Sequence, residues 1–139
     1  MGWAQLKMAL PSGQIQTDDG VGIIPIWPCF ADMIYAKSKS FEYRKVRPRA
    51  NISIFVVYET MPISMITGFF RVKRTISASP HRIWKDTNHE AGITEELFFR
   101  YFSGREIAYA IHCHSATRFE KPLRLDVFNC KPPQAYVYP

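Results

Sequence analysis

Cysteine is scarce in this chain: its 139 residues hold three, Cys29, Cys113 and Cys130, with no CxxC pair among them. Any single disulfide would leave one thiol over, which argues against a disulfide-stapled scaffold and for a reducing, cytoplasmic setting. Long hydrophobic runs are missing as well. No stretch approaches the ~20 apolar residues of a membrane-spanning helix, and the apolar part of the first ten residues is too short for a signal peptide. The seven glycines form no phosphate-cradling loop, and no Ser-His-Asp motif is present. Internal repeats, low-complexity tracts and an interior linker are absent too, so one domain over 21–139 is expected, preceded by an arm over 1–20.

What the chain does contain is apolar and basic. Hydrophobic residues make up 47% and aromatics 14%, enough for a folded globule with a proper core. The formal charge is +6, and it is concentrated. Between Lys37 and Arg49 stand six basic residues (37, 39, 44, 45, 47 and 49) against the single acid Glu42. Such a cluster draws anions, nucleic acid being the commonest large one, unless it is simply a solvated loop kept for solubility.

The pattern of apolar residues predicts strands outnumbering helices. A strand over about 21–27 ends at Pro28, which suits the first turn of a helix running from Cys29 to about Lys37. Phe30, Met33 and Ile34 would face inward from it. A charged strand over 40–46 follows. Ile52 to Tyr58 is β-branched and aromatic throughout, the composition of a central strand buried on both faces. A long strand over about 63–76 would place Ile66, Phe70, Val72 and Ile76 on one face, with Gly68 marking a bulge or a close backbone approach. Ser79-Pro80 and Thr94-Glu95-Glu96 open two short helices. Leu97, Phe98 and Tyr101 would form the apolar stripe of the second, which stops near Gly104. Residues 107–113 alternate as a strand, and 118–138 offer one or two more. The expected fold is α+β: a curled mixed sheet or small barrel with two or three short helices outside it.

The candidate site lies at the head of the charged strand. Glu42 and Arg44 are two apart and share one strand face. Lys39, in the preceding turn, is able to swing toward the same place. An ammonium, a carboxylate and a guanidinium within reach of one cleft suit a polar, anionic ligand. Glu42 orients Lys39 or accepts from a base amino group, unless it serves only as the salt-bridge partner of Arg44. Arg44 is a bidentate phosphate ligand on the functional reading. Trp27, Tyr43, Tyr58 and Tyr109, on or beside strands, are able to stack bases, although strands favour aromatics anyway and each is individually a core candidate. Trp27, at the end of the first strand, is the best placed. His112-Cys113-His114 invites a metal reading, but alternation turns Cys113 away from the two histidines, and no second pair completes a ligand set; no metal or other cofactor is expected.

These residues carry a resemblance. A strand-helix-strand opening with Gly-x-Lys-x-x-Glu-x-Arg at the start of the second strand is the hallmark of the ASCH-domain family, which shares the PUA-like β-barrel fold. Here the motif reads Ser38, Lys39, Glu42 and Arg44. The similarity continues through Val57 to Ile63, Gly68, Ser79-Pro80, Trp84, Gly92-Ile93, Phe99, Tyr101-Phe102, Gly104 and Ala108 to Ile111, and ends in Pro132-Pro133-Gln134-Ala135-Tyr136. Two positions depart from it: Trp27 stands where members often carry a lysine, and Ser38 replaces a glycine in a turn that calls for positive φ.

The resemblance implies a partner that is RNA or a nucleotide; the motif residues Lys39, Glu42 and Arg44 are expected to hold it, with Trp27 and Tyr58 as aromatic candidates read from their strand positions. It also implies an alternative: hydrolysis of RNA or of a modified nucleoside of the N4-acetylcytidine type, for which Lys39 and Glu42 are this chain's own catalytic candidates. In amidohydrolase relatives the motif lysine corresponds to Lys39, but a threonine stands where this chain has Glu42, and a further acidic residue has no counterpart. That chemistry therefore does not transfer by motif. A protein-interaction module using the Pro132–Tyr136 tail is the third reading.

Overall fold

The computed structural model describes residues 20–128 and 131–138. All of the expected arm except Gly20 lies outside the described residues, as does Cys130. Five strands form one sheet: β1 (Gly20–Ile26), β2 (Phe41–Arg44), β3 (Ile52–Glu59), β4 (Met65–Ala78) and β5 (Ala108–Arg124). Their order is β1-β3-β4-β5-β2, with β1 parallel to β3 and the other pairs antiparallel. Helices α1 (Pro28–Tyr35), α2 (Pro80–Thr87) and α3 (Glu95–Tyr101) complete an α+β fold. None of these helices is long and apolar enough to cross a membrane.

The expected alternative of a closed barrel is not met, because β1 and β2 are both edges. Pro25 in β1 has no N–H to offer a ladder, and β2 is only four residues long. The edges are bridged by other means. Arg44 donates to the Pro25 carbonyl. The C-terminal tail pairs with β1 instead, Ile23 and Val137 exchanging backbone bonds of 2.8 and 3.0 Å.

The core has three parts. Alternation along β3 sends Ile54, Val56 and Tyr58 to one cluster with Val21, Ile23 and Phe69, and Phe55 and Val57 to another beneath α1. The third cluster packs α2 and α3 onto Phe41, Tyr43, Ala108 and Ala110 through Ile83, Phe98 and Phe102. Both later helices start as their sequences require: Ser79 Oγ accepts from the Arg82 N–H, and Thr94 Oγ1 from the Leu97 N–H.

Several expectations need correcting. The strands and α1 end at other residues than expected, β2 spanning 41–44 and β4 65–78. Residues 108–124 form a single strand rather than two. A bulge does fall at Gly68: Val57 faces Gly68 while Tyr58 faces Ile66, leaving Thr67 extra. That extra residue flips the alternation, so Ile66 joins the Tyr58 cluster while Phe70 faces α1. On α3, Phe98 and Phe102 are the buried pair, and Leu97 and Tyr101 are exposed. Both pairs have i, i+4 spacing, so periodicity alone did not choose between them.

Candidate nucleotide pocket

The turn that carries Lys39 begins at the end of α1. The Ser38 N–H donates to the Met33 carbonyl at 2.9 Å and the Lys37 N–H to Ile34 at 3.1 Å, the paired bonds of a Schellman ending. The residue at positive φ is Lys37, at 68°, so the strained position precedes Ser38 rather than falling on it. Lys39 N–H also bonds the Met33 carbonyl at 3.2 Å, and Ser40 is tied to Glu90 and Cys113 at 2.9 and 2.8 Å. Lys39 is thus fixed from both sides instead of swinging.

Its side chain runs inward and is only 2% exposed. The ammonium donates to the Ala91 carbonyl at 2.6 Å and sits 5.1 and 4.9 Å from the Phe30 and Tyr43 ring centres. Burial lowers its pKa, and Glu42 acts in the opposite direction without cancelling that effect. Gly92 makes room for the stem: at φ 65° it lies so close that a Cβ would come within 2.6 Å of Lys39 Cβ. An ammonium has three N–H donors, so one bond to Ala91 leaves capacity for a ligand.

Beside Lys39, Arg44 Nη2 and Glu42 Oε2 form an ion pair at 2.6 Å, with both side chains largely buried. Tyr43 also lines the cavity, its ring beside Lys39, while its hydroxyl reaches Thr87 Oγ1 at 2.7 Å; burial chiefly pushes its pKa up to about 12. Lys39, Glu42 and Arg44 line one cavity of about 600 Å³. Trp27 and Phe30 form one wall, stacked at 5.8 Å and 8°, with Trp27 65% exposed at the rim. Leu97 and Tyr101 of α3 and Gln134 of the tail also line it.

The structure therefore brings four of the five candidate residues together. Tyr58 is the exception: it is buried in the core with Ile54, Val56 and Phe69, because its parity on β3 sends it to the face away from the cavity. Tyr109 lies elsewhere, against Arg47. Sequence reasoning missed Phe30, Leu97, Tyr101 and Gln134. The signal for Leu97 and Tyr101 was their apolar i, i+4 spacing, read as a core stripe. His112 packs against Phe41 with ring centres 4.7 Å apart and planes tilted by 31°, and among the described residues no three His, Cys, Asp or Glu side chains converge as a metal site.

The fold has a solved counterpart. The crystal structure of ASCH from Zymomonas mobilis superimposes with a TM-score of 0.79 at 26% identity, over 86% of this chain and 87% of that one. An ASCH domain-containing ribonuclease from the same organism is 27% identical over 124 residues, 84% of this chain and 82% of the relative. Over most of its length the chain is similar to ASCH-domain proteins in both sequence and fold. The N-terminal domain of Staphylothermus marinus McrB is similar in fold alone, with a TM-score of 0.51 at 11% identity, covering 93% of each chain. No family model matches the sequence.

Proposed function

We propose that this ASCH domain binds RNA or a nucleotide, with one base held in the cavity above Lys39, Glu42 and Arg44. The observation that carries the reading is the pairing of buried charge with an exposed aromatic wall in a space of about 600 Å³, within the range that takes a small molecule. Trp27 supplies a stacking face at the rim, and the buried groups supply donors and an acceptor for the base or sugar. The ribonuclease from Zymomonas mobilis supports an RNA partner. Titration of short single-stranded RNA at two salt concentrations tests it: binding should weaken as salt rises. Trp27→Ala should weaken it by about 1–3 kcal/mol, the range for one lost base stack. Absence of binding, or indifference to both Trp27→Ala and Glu42→Gln, sinks the proposal.

A second reading, hydrolysis, is favoured by the name of that same relative and by the lowered pKa of Lys39. A neutral Lys39 would take the proton of a 2′-hydroxyl; the freed oxygen then attacks the adjacent phosphorus, and the 5′-oxygen leaves with a proton from water. Incubation with single-stranded RNA and with N4-acetylcytidine, beside a Lys39→Met variant, tests it. Turnover that survives in the variant removes Lys39 from the chemistry, and no turnover on either substrate leaves binding alone.

A further inference from the structure

Next to the cavity lies a second groove of about 380 Å³, and the two share Arg44, Tyr101 and Gln134. Lys45, Arg47 and Arg49 line this second groove, at alternate positions of the segment that follows β2. Each cation rests against a tyrosine ring rather than a carboxylate. Lys45 is 4.5 Å from Tyr101, Arg47 is 5.8 Å from Tyr109, and Arg49 is 4.1 Å from Tyr138. Three other exposed arginines behave differently: Arg82, Arg100 and Arg124 pair with Asp86, Glu96 and Asp126 at 2.8–2.9 Å. Among the described residues, no carboxylate forms an ion pair with Lys45, Arg47 or Arg49.

The backbone beneath these cations is held as well. The Tyr136 hydroxyl donates to the Val46 carbonyl at 2.9 Å, and the Arg49 N–H donates to the Tyr138 hydroxyl at 3.0 Å. A ring face braces a guanidinium while leaving N–H donors at its edge for phosphate oxygens, even though Arg47 Nη2 also donates to Ser77 Oγ at 3.3 Å. Arg44 is already committed to Glu42 and the Pro25 carbonyl, so it serves as the divider between the two spaces.

We propose that the cavity takes one nucleotide of a continuous single strand, whose neighbouring phosphates lie along Lys45, Arg47 and Arg49. The proposal rests on the nucleotide-binding reading of the cavity and adds that the ligand is a polymer rather than a free nucleotide. Residues 44–49, at an upper limit of about 17 Å when extended, span more than a single nucleotide's phosphate. The uncompensated charge provides attraction along that length, and the tyrosines fix where it is applied.

The test compares a fluorescent mixed-sequence RNA dodecamer with the four nucleoside 5′-monophosphates. Arg47→Ala/Arg49→Ala should weaken dodecamer binding at least tenfold and lower the slope of log affinity against log salt by about 1.4, near 0.7 for each phosphate no longer neutralised. Monophosphate binding should stay as in the unaltered protein. Arg82→Ala/Arg124→Ala removes the same charge from ion-paired surface arginines and should change the dodecamer little. An unchanged slope in the groove variant, or an equal loss in that control, overturns the proposal. So does a groove-dependent affinity for anionic phosphatidylserine vesicles that exceeds the affinity for RNA. Failure of the cavity reading looks different: Trp27→Ala and Glu42→Gln would then leave both ligands bound as before, whatever the groove variant does.

Discussion

Two charged clusters flank helix α1, and they are built from similar parts. On one flank, Glu59, 2% exposed, is paired with Arg118 at 3.2 Å, and Arg118 also reaches Asp32 at 2.8 Å and lies 4.3 Å over the Tyr35 ring. Lys37 donates to the Ala116 carbonyl at 2.8 Å nearby. On the other flank, Glu42 pairs with Arg44, and Lys39 donates to the Ala91 carbonyl. Each flank thus has a buried glutamate, an arginine and a lysine bonded to a backbone oxygen. The difference lies in what they join. Arg118 ties α1 to β3 from β5, so its bonds close a tertiary contact. Arg44 and Lys39 also make tertiary bonds, to the Pro25 and Ala91 carbonyls, but the ion pair itself joins neighbours on one strand, and with Lys39 it opens onto a cavity. An ion pair, even a buried one, says little about function until its surroundings are known.

The largest expected effect comes from breaking the first flank. Arg118→Ala leaves the Glu59 carboxylate buried without its partner and should cost about 2–3 kcal/mol in urea unfolding, toward the low end for buried pairs because Arg118 is half exposed. The same variant should bind RNA as the unaltered protein does. If it loses RNA binding while remaining folded, the two flanks are not functionally distinct.

Lys39→Met comes next and should act in the opposite sense. It should cost at least tenfold in RNA affinity, about 1.4 kcal/mol, without destabilising the fold, since methionine fills a similar channel with no charge to desolvate. Linkage gives it a pH signature. The folded pKa of Lys39 lies below its unfolded value of 10.5, so the unfolded chain holds more protons between those two values. Stability owed to this group therefore rises with pH across that window. Buried Tyr35 and Tyr43, whose folded pKa values are raised above 10.0, lose stability instead as their unfolded counterparts ionise. Their contribution is common to both proteins, so the difference between unaltered protein and variant isolates the lysine. Unfolding curves taken from neutral pH upward should show that difference shrinking or reversing as Lys39 neutralises, and a constant difference would contradict its burial as an ammonium.

The smallest effect is expected at the joint between the flanks. Lys37→Gly relieves a left-handed backbone, worth about 1–2 kcal/mol, against the entropy that glycine adds to the unfolded chain and the loss of an exposed bond to Ala116. A net gain of about 0.5 kcal/mol in thermal unfolding should result. A loss would mean that the Lys37 side chain matters more to α1 than its backbone strain.

Much of this was legible before any coordinates. The helix starts were, because Pro28, Ser79-Pro80 and Thr94 satisfy the requirements of a first turn locally. The burial of β3 on both faces was, because a strand apolar at nearly every residue must be covered twice, although β4 and not β3 holds the centre of the sheet. Lys39, Glu42 and Arg44 were nominated by spacing and by the ASCH resemblance. The faces of β4 and α3 were not. Thr67 adds one residue to a ladder, which reverses the side chains beyond it, and α3 offers two apolar pairs of equal spacing.

What the sequence alone determined, then, is whatever depends on neighbours along the chain: the element types, the starts of the helices, the concentration of charge in 37–49 and the sharing of a strand face by Glu42 and Arg44. Only the tertiary structure decided that Lys39 is buried against Ala91 and Gly92, more than fifty positions away in the chain. It alone turned Tyr58 into the core, brought Leu97 and Tyr101 to the same cavity as Trp27, and brought the tail tyrosines against the basic segment. Those outcomes depend on which surfaces meet when distant elements pack, and no local pattern encodes that.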